Sequence, residues 1–491
     1  MLGPAALSAY AWHRASRGLG IVRRALPDLP LPPGPYLGTE PVVLAAVGPA
    51  PPHALEIDPF SAADLRPVWE RGRWADLPHL PPDQADRRIA AFLGENPPFR
   101  GPHWVSAQEA AIRILHLAWA AQRHGRDATP TAGLRALAAL HWRRIRAERA
   151  YEMSQDNNHS LAAAAAGIAA GLLLGDRALA AAALRGTERV AHRLIAPCGA
   201  FSQHSVRYQR MAVDLLSLAA ALAERQGLSP GFGAAHRAAA AWLDRMRDPV
   251  SGRYARIGHD DGTRLSAPAP PMVSPRPADW TGRGFMGFAH GTSWAVLRIP
   301  GSRFRPAHAD LLHLDFWRDG RNLLCDGGTG AYHPPPGSEW WLDHFPAVEA
   351  HNTIQFDGQP QMLRHGRFLM GPWPRGGALP AGGWIADSHG NRHERRVQPG
   401  ATWRIEDRLA GPFSEAVLRW RLDPGLDWHA TPDGAATHVA RVRITGAPAA
   451  IAIEPGWSSP AYGQVTTAPI LTARLPSGTA CILTVIEAIQ G

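Results

Sequence analysis

A chain of 491 residues, 45% of them hydrophobic, is too long for one ordinary core and too apolar to be disordered, so two large domains are expected. The formal net charge is +9 and all 51 basic residues are arginine, a balance that favours an anionic partner: nucleic acid, an anionic membrane surface or an acidic polysaccharide. The arginines are scattered and no zinc-finger, RRM or KH pattern is present, which sets nucleic acid aside.

The opening stretch, "MLGPAALSAYAWHRASRGLG", has no charged n-region, and Pro4 breaks its short apolar run, so it is no convincing signal peptide. From about Ser61, "DLRPVWERGRW" reads as helical or mixed. Between about Ala107 and Met246 the chain is dominated by Ala, Leu and Arg at helical spacing, as in "SAQEAAIRILHLAWAAQRHG" and "YQRMAVDLLSLAAALAERQG". Successive helices joined by short Gly, Pro and Asp turns indicate antiparallel helical hairpins. One of them, Leu161 to Leu174, is apolar on nearly all sides but too short to span a bilayer. The stretch "RLSAPAPPMVSPRPADW", residues 264–280, is Pro-rich and reads as a linker. Beyond it come short alternating segments such as "SWAVLRI", "LLHLDFW", "ATWRIEDRLA" and "ACILTVIEAI", separated by turn residues, the pattern of an antiparallel sandwich. The expected division is therefore a helical domain over 1–263, the linker, and a β-sandwich over 281–491.

Cys198, Cys325 and Cys481 are odd in number and far apart, so neither a disulfide framework nor a CxxC metal pair follows. No GxGxxG, Walker A or GxSxG pattern supports nucleotide or serine-hydrolase chemistry.

Three polar groups stand out. Asn157, Asn158 and His159 open the apolar helix. Capping accounts for one of them, since Asn is a preferred cap. An Asn amide can also bind a carboxylate, and a His can exchange protons near neutral pH. Tyr208, one of only seven tyrosines, begins another helix among His204, Arg207, Gln209 and Arg210. It is either a core tyrosine or a phenol whose ionised form a neighbouring Arg favours. In the β half stand His308, Asp310, His313, Asp315, Asp326 and His351. Strand alternation would put His308 and Asp310 on one face, and two His and one Asp from three strands could converge on a metal.

The ordered set "DLRPVWERGRW", "FRGPHWVSAQEAAIRIL", "NNHSLAAAAAG", "SVRYQR", "HADLLHLDFW", "CDGGTGAY" and "HNTIQFDGQPQM" resembles the heparinase II/III-like family of polysaccharide lyases. The resemblance runs from about Asp64 to Met362. It implies an incomplete (α/α) toroid followed by an antiparallel β-sandwich, and β-elimination at uronic acid residues of an anionic polysaccharide. By that resemblance Asn158, helped by His159, neutralises the uronate carboxylate in the manner of an oxyanion hole. Tyr208 is the acid, with the base role open to it as well, and His159 is its companion. His308, Asp326 and His351 match the positions that bind a divalent ion, commonly zinc, in a structural role, and His308 is also a catalytic candidate. The family pattern has a further catalytic His two residues before the metal His; Pro306 stands there instead. Either His308 faces the substrate, or the second His comes from elsewhere, or the activity is altered. Substrate-binding candidates are Asn157, His204, Arg207, Arg305, Tyr332 and Trp104. The rival expectations are a non-catalytic glycan-binding or polysaccharide-assembly protein of the same fold and a metal-dependent hydrolase. A bacterial periplasmic or cytoplasmic location fits the resemblance, and self-association is left open.

Overall fold

The protein is described from a computed structural model covering residues 4–44, 48–59, 64–273, 277–301 and 308–489. It divides into two compact units. The first holds Met1–Phe201, Arg210–Ala240 and Thr263–Met272; the second holds Ser202–Gln209, Ala241–Gly262 and Val273–Gly491.

The first unit is helical. Its helices are α1 (Pro4–Gly18), α2 (Ile21–Ala25), α3 (Arg66–Gly72), α4 (Pro82–Glu95), α5 (Ala107–Arg123), α6 (Ala132–Ala147), α7 (Arg149–Gln155), α8 (Asn158–Leu174) and α9 (Arg177–Leu194). Two more, α10 (Val206–Glu224) and α11 (Gly233–Arg245), lie mostly in it. Helix ends are closed by side chains: Thr131 accepts from the Leu134 N–H at 3.0 Å, and Asp176 from Leu179 at 2.9 Å. The apolar run read in the sequence is α8, and it is buried on almost every side. Its small residues let α9 lie close. A Cβ added at Gly171 would sit 2.6 Å from the Ala180 backbone nitrogen, so glycine is required there for packing.

The second unit is antiparallel β-structure. A five-stranded sheet runs in sequence order through β1 (Trp280–Gly282), β2 (Phe285–His290), β3 (Ser293–Arg298), β4 (Leu314–Arg318) and β5 (Arg321–Leu324). After β6 (Ile354–Phe356), β7 (Leu363–Gly366) and β8 (Leu369–Gly371) form a small hairpin. They are followed by β9 (Arg375–Leu379), β10 (Gly382–Ala386), β11 (Arg392–Gln398), β12 (Thr402–Ala410), β13 (Glu415–Arg421), β14 (His429–Thr431), β15 (Gly434–Ala436), β16 (Ala440–Thr445), β17 (Ala450–Ala461), β18 (Gln464–Pro476) and β19 (Cys481–Ala488). An eight-stranded sheet is ordered β14-β15-β16-β19-β12-β11-β10-β9, and a four-stranded one β17-β18-β13-β6. Alternate residues of these sheets face one core: Phe316, Trp403, Ile405, Leu418, Trp420, Leu471 and Ile486.

One expectation fails locally. The run "LLHLDFW" becomes strand only from Leu314; before it, residues 308–313 turn, with Leu312 at φ 63° and the His313 N–H on the Asp310 carbonyl at 3.0 Å. Alternation therefore does not place His308 and Asp310. None of the three metal candidates stands on a strand: Asp326 follows β5, and His351 caps the 3-10 turn Val348–Ala350.

Candidate active site

In the first unit the chain leaves α7 through Asp156, held at φ 49°, and enters α8 directly. That reversal turns three consecutive side chains toward three different partners. Asn157 is the cap, its Oδ1 accepting from the His159 N–H at 2.9 Å. Asn158 is buried and donates through Nδ2 to Gln108 Oε1 on α5 at 2.8 Å, with the Met211 sulfur at 3.6 Å. His159 is a quarter exposed, and its Nδ1 lies 3.0 Å from Oε2 of the buried Glu152. Each of the three side chains at this dry helix mouth thus has a partner, while Glu152 Oε1 has no hydrogen bond among the described residues. The Glu152–His159 pair also has the form of an imidazole oriented by a carboxylate, with Nε2 directed elsewhere.

In the second unit the segment 257–261 anchors Tyr208. The Val206 N–H donates to the Ile257 carbonyl at 3.1 Å, and the Tyr208 N–H to Ser205 Oγ at 3.1 Å. Gly258, at φ 76°, allows this approach: a Cβ there would lie 2.0 Å from the His204 carbonyl oxygen. The Tyr208 hydroxyl donates to Asp261 Oδ2 at 3.0 Å and lies 3.2 Å from the Tyr332 hydroxyl. Arg207, one of the two arginines beside Tyr208 in sequence, forms a fork to Asp260 at 2.7 and 3.0 Å.

His308, Asp326 and His351 come together, buried, with one potential ligand atom of each within 4.8 Å of the others. His351 Nδ1 meets Asp326 Oδ2 at 2.9 Å, and His313 Nε2 lies 3.6 Å from the same oxygen. Burial alone would raise the Asp326 carboxyl, but His351 above all, then His313 and His308, pull it well below the usual carboxylate range. Burial, and then the charge of His351 and His259, holds His308 neutral. Both His308 ring nitrogens and His351 Nε2 have no hydrogen-bond partner among the described residues. Two imidazoles with unfilled ring nitrogens beside a buried carboxylate are the donor set of a divalent-metal site, so these residues fit one.

The remaining candidates fall in different places. Tyr332 shares the Tyr208 site. His204 is buried against Arg298, with its Nδ1 on that guanidinium, so it offers no surface to a ligand. Trp104 is also fully buried: Nε1 donates to the Asn96 carbonyl at 3.2 Å and Arg113 covers the ring at 4.7 Å, which leaves no face for a sugar. Arg305 and Pro306 lie outside the described residues.

The sequence reading missed Gln108, Glu152, His259 and Asp261. His259 packs its ring 5.0 Å from His308 and 5.2 Å from Tyr332. The polar cluster "HDDGT" was the available signal for the last two.

Comparison with known proteins accords with this architecture. The family of heparinase II/III-like C-terminal domains matches residues 284–484, and the alginate lyase family matches residues 111–250. Among solved structures, a heparinase III is 15% identical with a TM-score of 0.64, covering 89% of this chain and 79% of its own. A second heparinase III gene product is 14% identical with a TM-score of 0.62, covering 88% and 80%. The heparan sulfate lyase HepC from Pedobacter heparinus is 15% identical with a TM-score of 0.55, covering 88% and 78%. No curated protein matches the chain in sequence. The (α/α) toroid followed by a β-sandwich, with these two family matches in chain order, defines a polysaccharide lyase. Its C-terminal part, residues 284–484, is similar to the heparinase II/III-like C-terminal domains.

Proposed function

We propose that the protein cleaves a uronic-acid-containing anionic polysaccharide by β-elimination. The proton at C5 of a uronate is barely acidic while the adjacent carboxylate keeps its full charge. The Asn158 amide, held by Gln108, donates to that carboxylate; the Met211 sulfur is a weak acceptor that a carboxylate oxygen displaces. His159, oriented through Nδ1 by Glu152, takes the C5 proton on Nε2. Tyr208 gives its proton to the departing O4. The observation that carries this reading is the Tyr208 hydroxyl set on Asp261 and beside Tyr332, which keeps a proton ready to donate. His259, against His308, is the candidate for the histidine that Pro306 denies. A divalent ion, zinc by the donor set, would be held by His308, Asp326 and His351; it would supply positive charge to a buried carboxylate and fix the loops that carry these residues.

A panel of uronate polymers, followed by the ultraviolet absorbance of unsaturated products, tests the reaction. Tyr208→Phe should lower turnover roughly 10²–10⁴-fold while leaving substrate affinity near its starting value. A hydrolase would release sugars without the chromophore. A purely glycan-binding protein would bind the polymer and generate no unsaturation, and either result refutes the lyase reading.

A further inference from the structure

The first helix is built inside out. On α1 the inward positions His13 and Ser16 are polar and buried, while Leu7, Tyr10 and Trp12 are 56%, 45% and 59% exposed. Leu19, at 66%, and Ile21, at 38%, continue the exposed apolar surface into α2. A half-open cavity of about 510 Å³, lined by Trp12, Ile21, Val22, Arg146, Arg149 and Met153, adjoins it. The buried His13, whose Nδ1 has no hydrogen-bond partner among the described residues, also lines that cavity.

Positive charge surrounds these side chains. Residues 7–24 contain four arginines, Arg14, Arg17, Arg23 and Arg24, and no acid. The nearby Glu148 is consumed by Arg144 and Arg17, and Asp28 by Arg100. Arg14, Arg23, Arg146 and Arg149 form no ion pair among the described residues.

We propose that this face docks on an anionic bilayer surface. Leu, Ile, Trp and Tyr beside unpaired arginines are the composition of an interfacial helix. The apolar side chains enter the headgroup boundary, the aromatic rings stay at its level, and the guanidiniums meet lipid phosphates. Hydroxyl-rich sugars gain nothing from exposed Leu7, Leu19 and Ile21. A second copy of the chain would bring arginines against arginines. The inference is independent of the catalytic reading, because it uses none of its residues.

Sedimentation of the full chain with phosphatidylcholine vesicles, with and without phosphatidylglycerol, tests it. Binding should require the anionic lipid and weaken with salt. Trp12→Ser with Leu19→Ser should reduce partitioning roughly ten-fold or more. Arg146→Gln and Arg149→Gln should each reduce it about five-fold. Thermal melting of each variant confirms that it is folded, and the arginine variants carry the test if the apolar pair is not. Absence of binding, equal binding to both vesicles, or variants that bind as the parent does would overturn the proposal. So would a concentration-dependent dimer, or a uronate polymer, that depends on Trp12 in place of vesicle binding.

Discussion

At the scale of single residues, Asn157, Asn158 and His159 show how one backbone reversal serves both structure and chemistry. Asn157 closes the helix; the same turn presses Asn158 against Gln108 and His159 against Glu152. If Glu152 sets the imidazole tautomer, Glu152→Gln should lower turnover roughly 10²-fold or more with little change in melting temperature. Undiminished turnover with this variant would remove His159 from the base role. Asparagines and a histidine ahead of an alanine run are unusual enough to be read directly from the sequence. Their partners are not: Gln108 lies fifty residues away, and Asp261 reaches Tyr208 only through the fold. Trp104 shows the converse, since a tryptophan that could stack on a sugar and one that fills a core look alike until burial is known.

At the scale of elements, helices were more legible than strands. The uniform apolarity of α8 has one physical reading, burial, and its glycines follow from the closeness of α9. A methyl at position 171 would meet Ala180 backbone atoms that cannot yield as a side-chain tip does. Gly171→Ala should therefore cost about 1–3 kcal/mol, seen as a melting temperature lowered by several degrees. A variant as stable as the parent would mean that α9 shifts freely. Strands with a clean period, such as β12, announce themselves. Its buried residues Trp403, Ile405, Asp407 and Leu409 alternate with more exposed ones. Asp407 tolerates that inward position because Arg395 forks it at 2.7 and 3.0 Å and His393 joins at 2.7 Å. The long hairpin β17–β18 was hidden because each strand contains two prolines, which lack the ladder donor. Pro455 and Pro469 stand opposite each other, so two of the four losses fall on one rung.

At the scale of the whole molecule, a helical half followed by a β half was visible as a change of hydrophobic period. What composition could not show is the set of buried imidazoles. Burial lowers His141 to about 3 and His103, His116 and His236 each to about 4. A depressed folded value means that the unfolded chain binds protons the native one refuses. Stability should therefore be full above about pH 6.5 and fall as pH drops toward 4, by about 1.4 kcal/mol per unit for each such histidine. Asp315, raised to about 7 chiefly by burial, and Asp310, also raised chiefly by burial, act in the opposite sense, but they are outnumbered by the depressed histidines. Melting temperatures at pH 7.5 and 5 check this; equal values would mean that these imidazoles titrate normally in the native state.

The division into units has a consequence for any attempt to take the protein apart. Residues 202–209 and 241–262 belong with the sandwich although helical chain surrounds them. A protease nick near residue 270 would leave the β-rich piece without Trp242, whose ring meets Phe285 at 5.3 Å, and without Asp248, which accepts from Trp294 at 2.8 Å. Neither piece then owns its full complement of residues. On the ribosome, too, those two short stretches must wait uncommitted until the strands they serve have emerged.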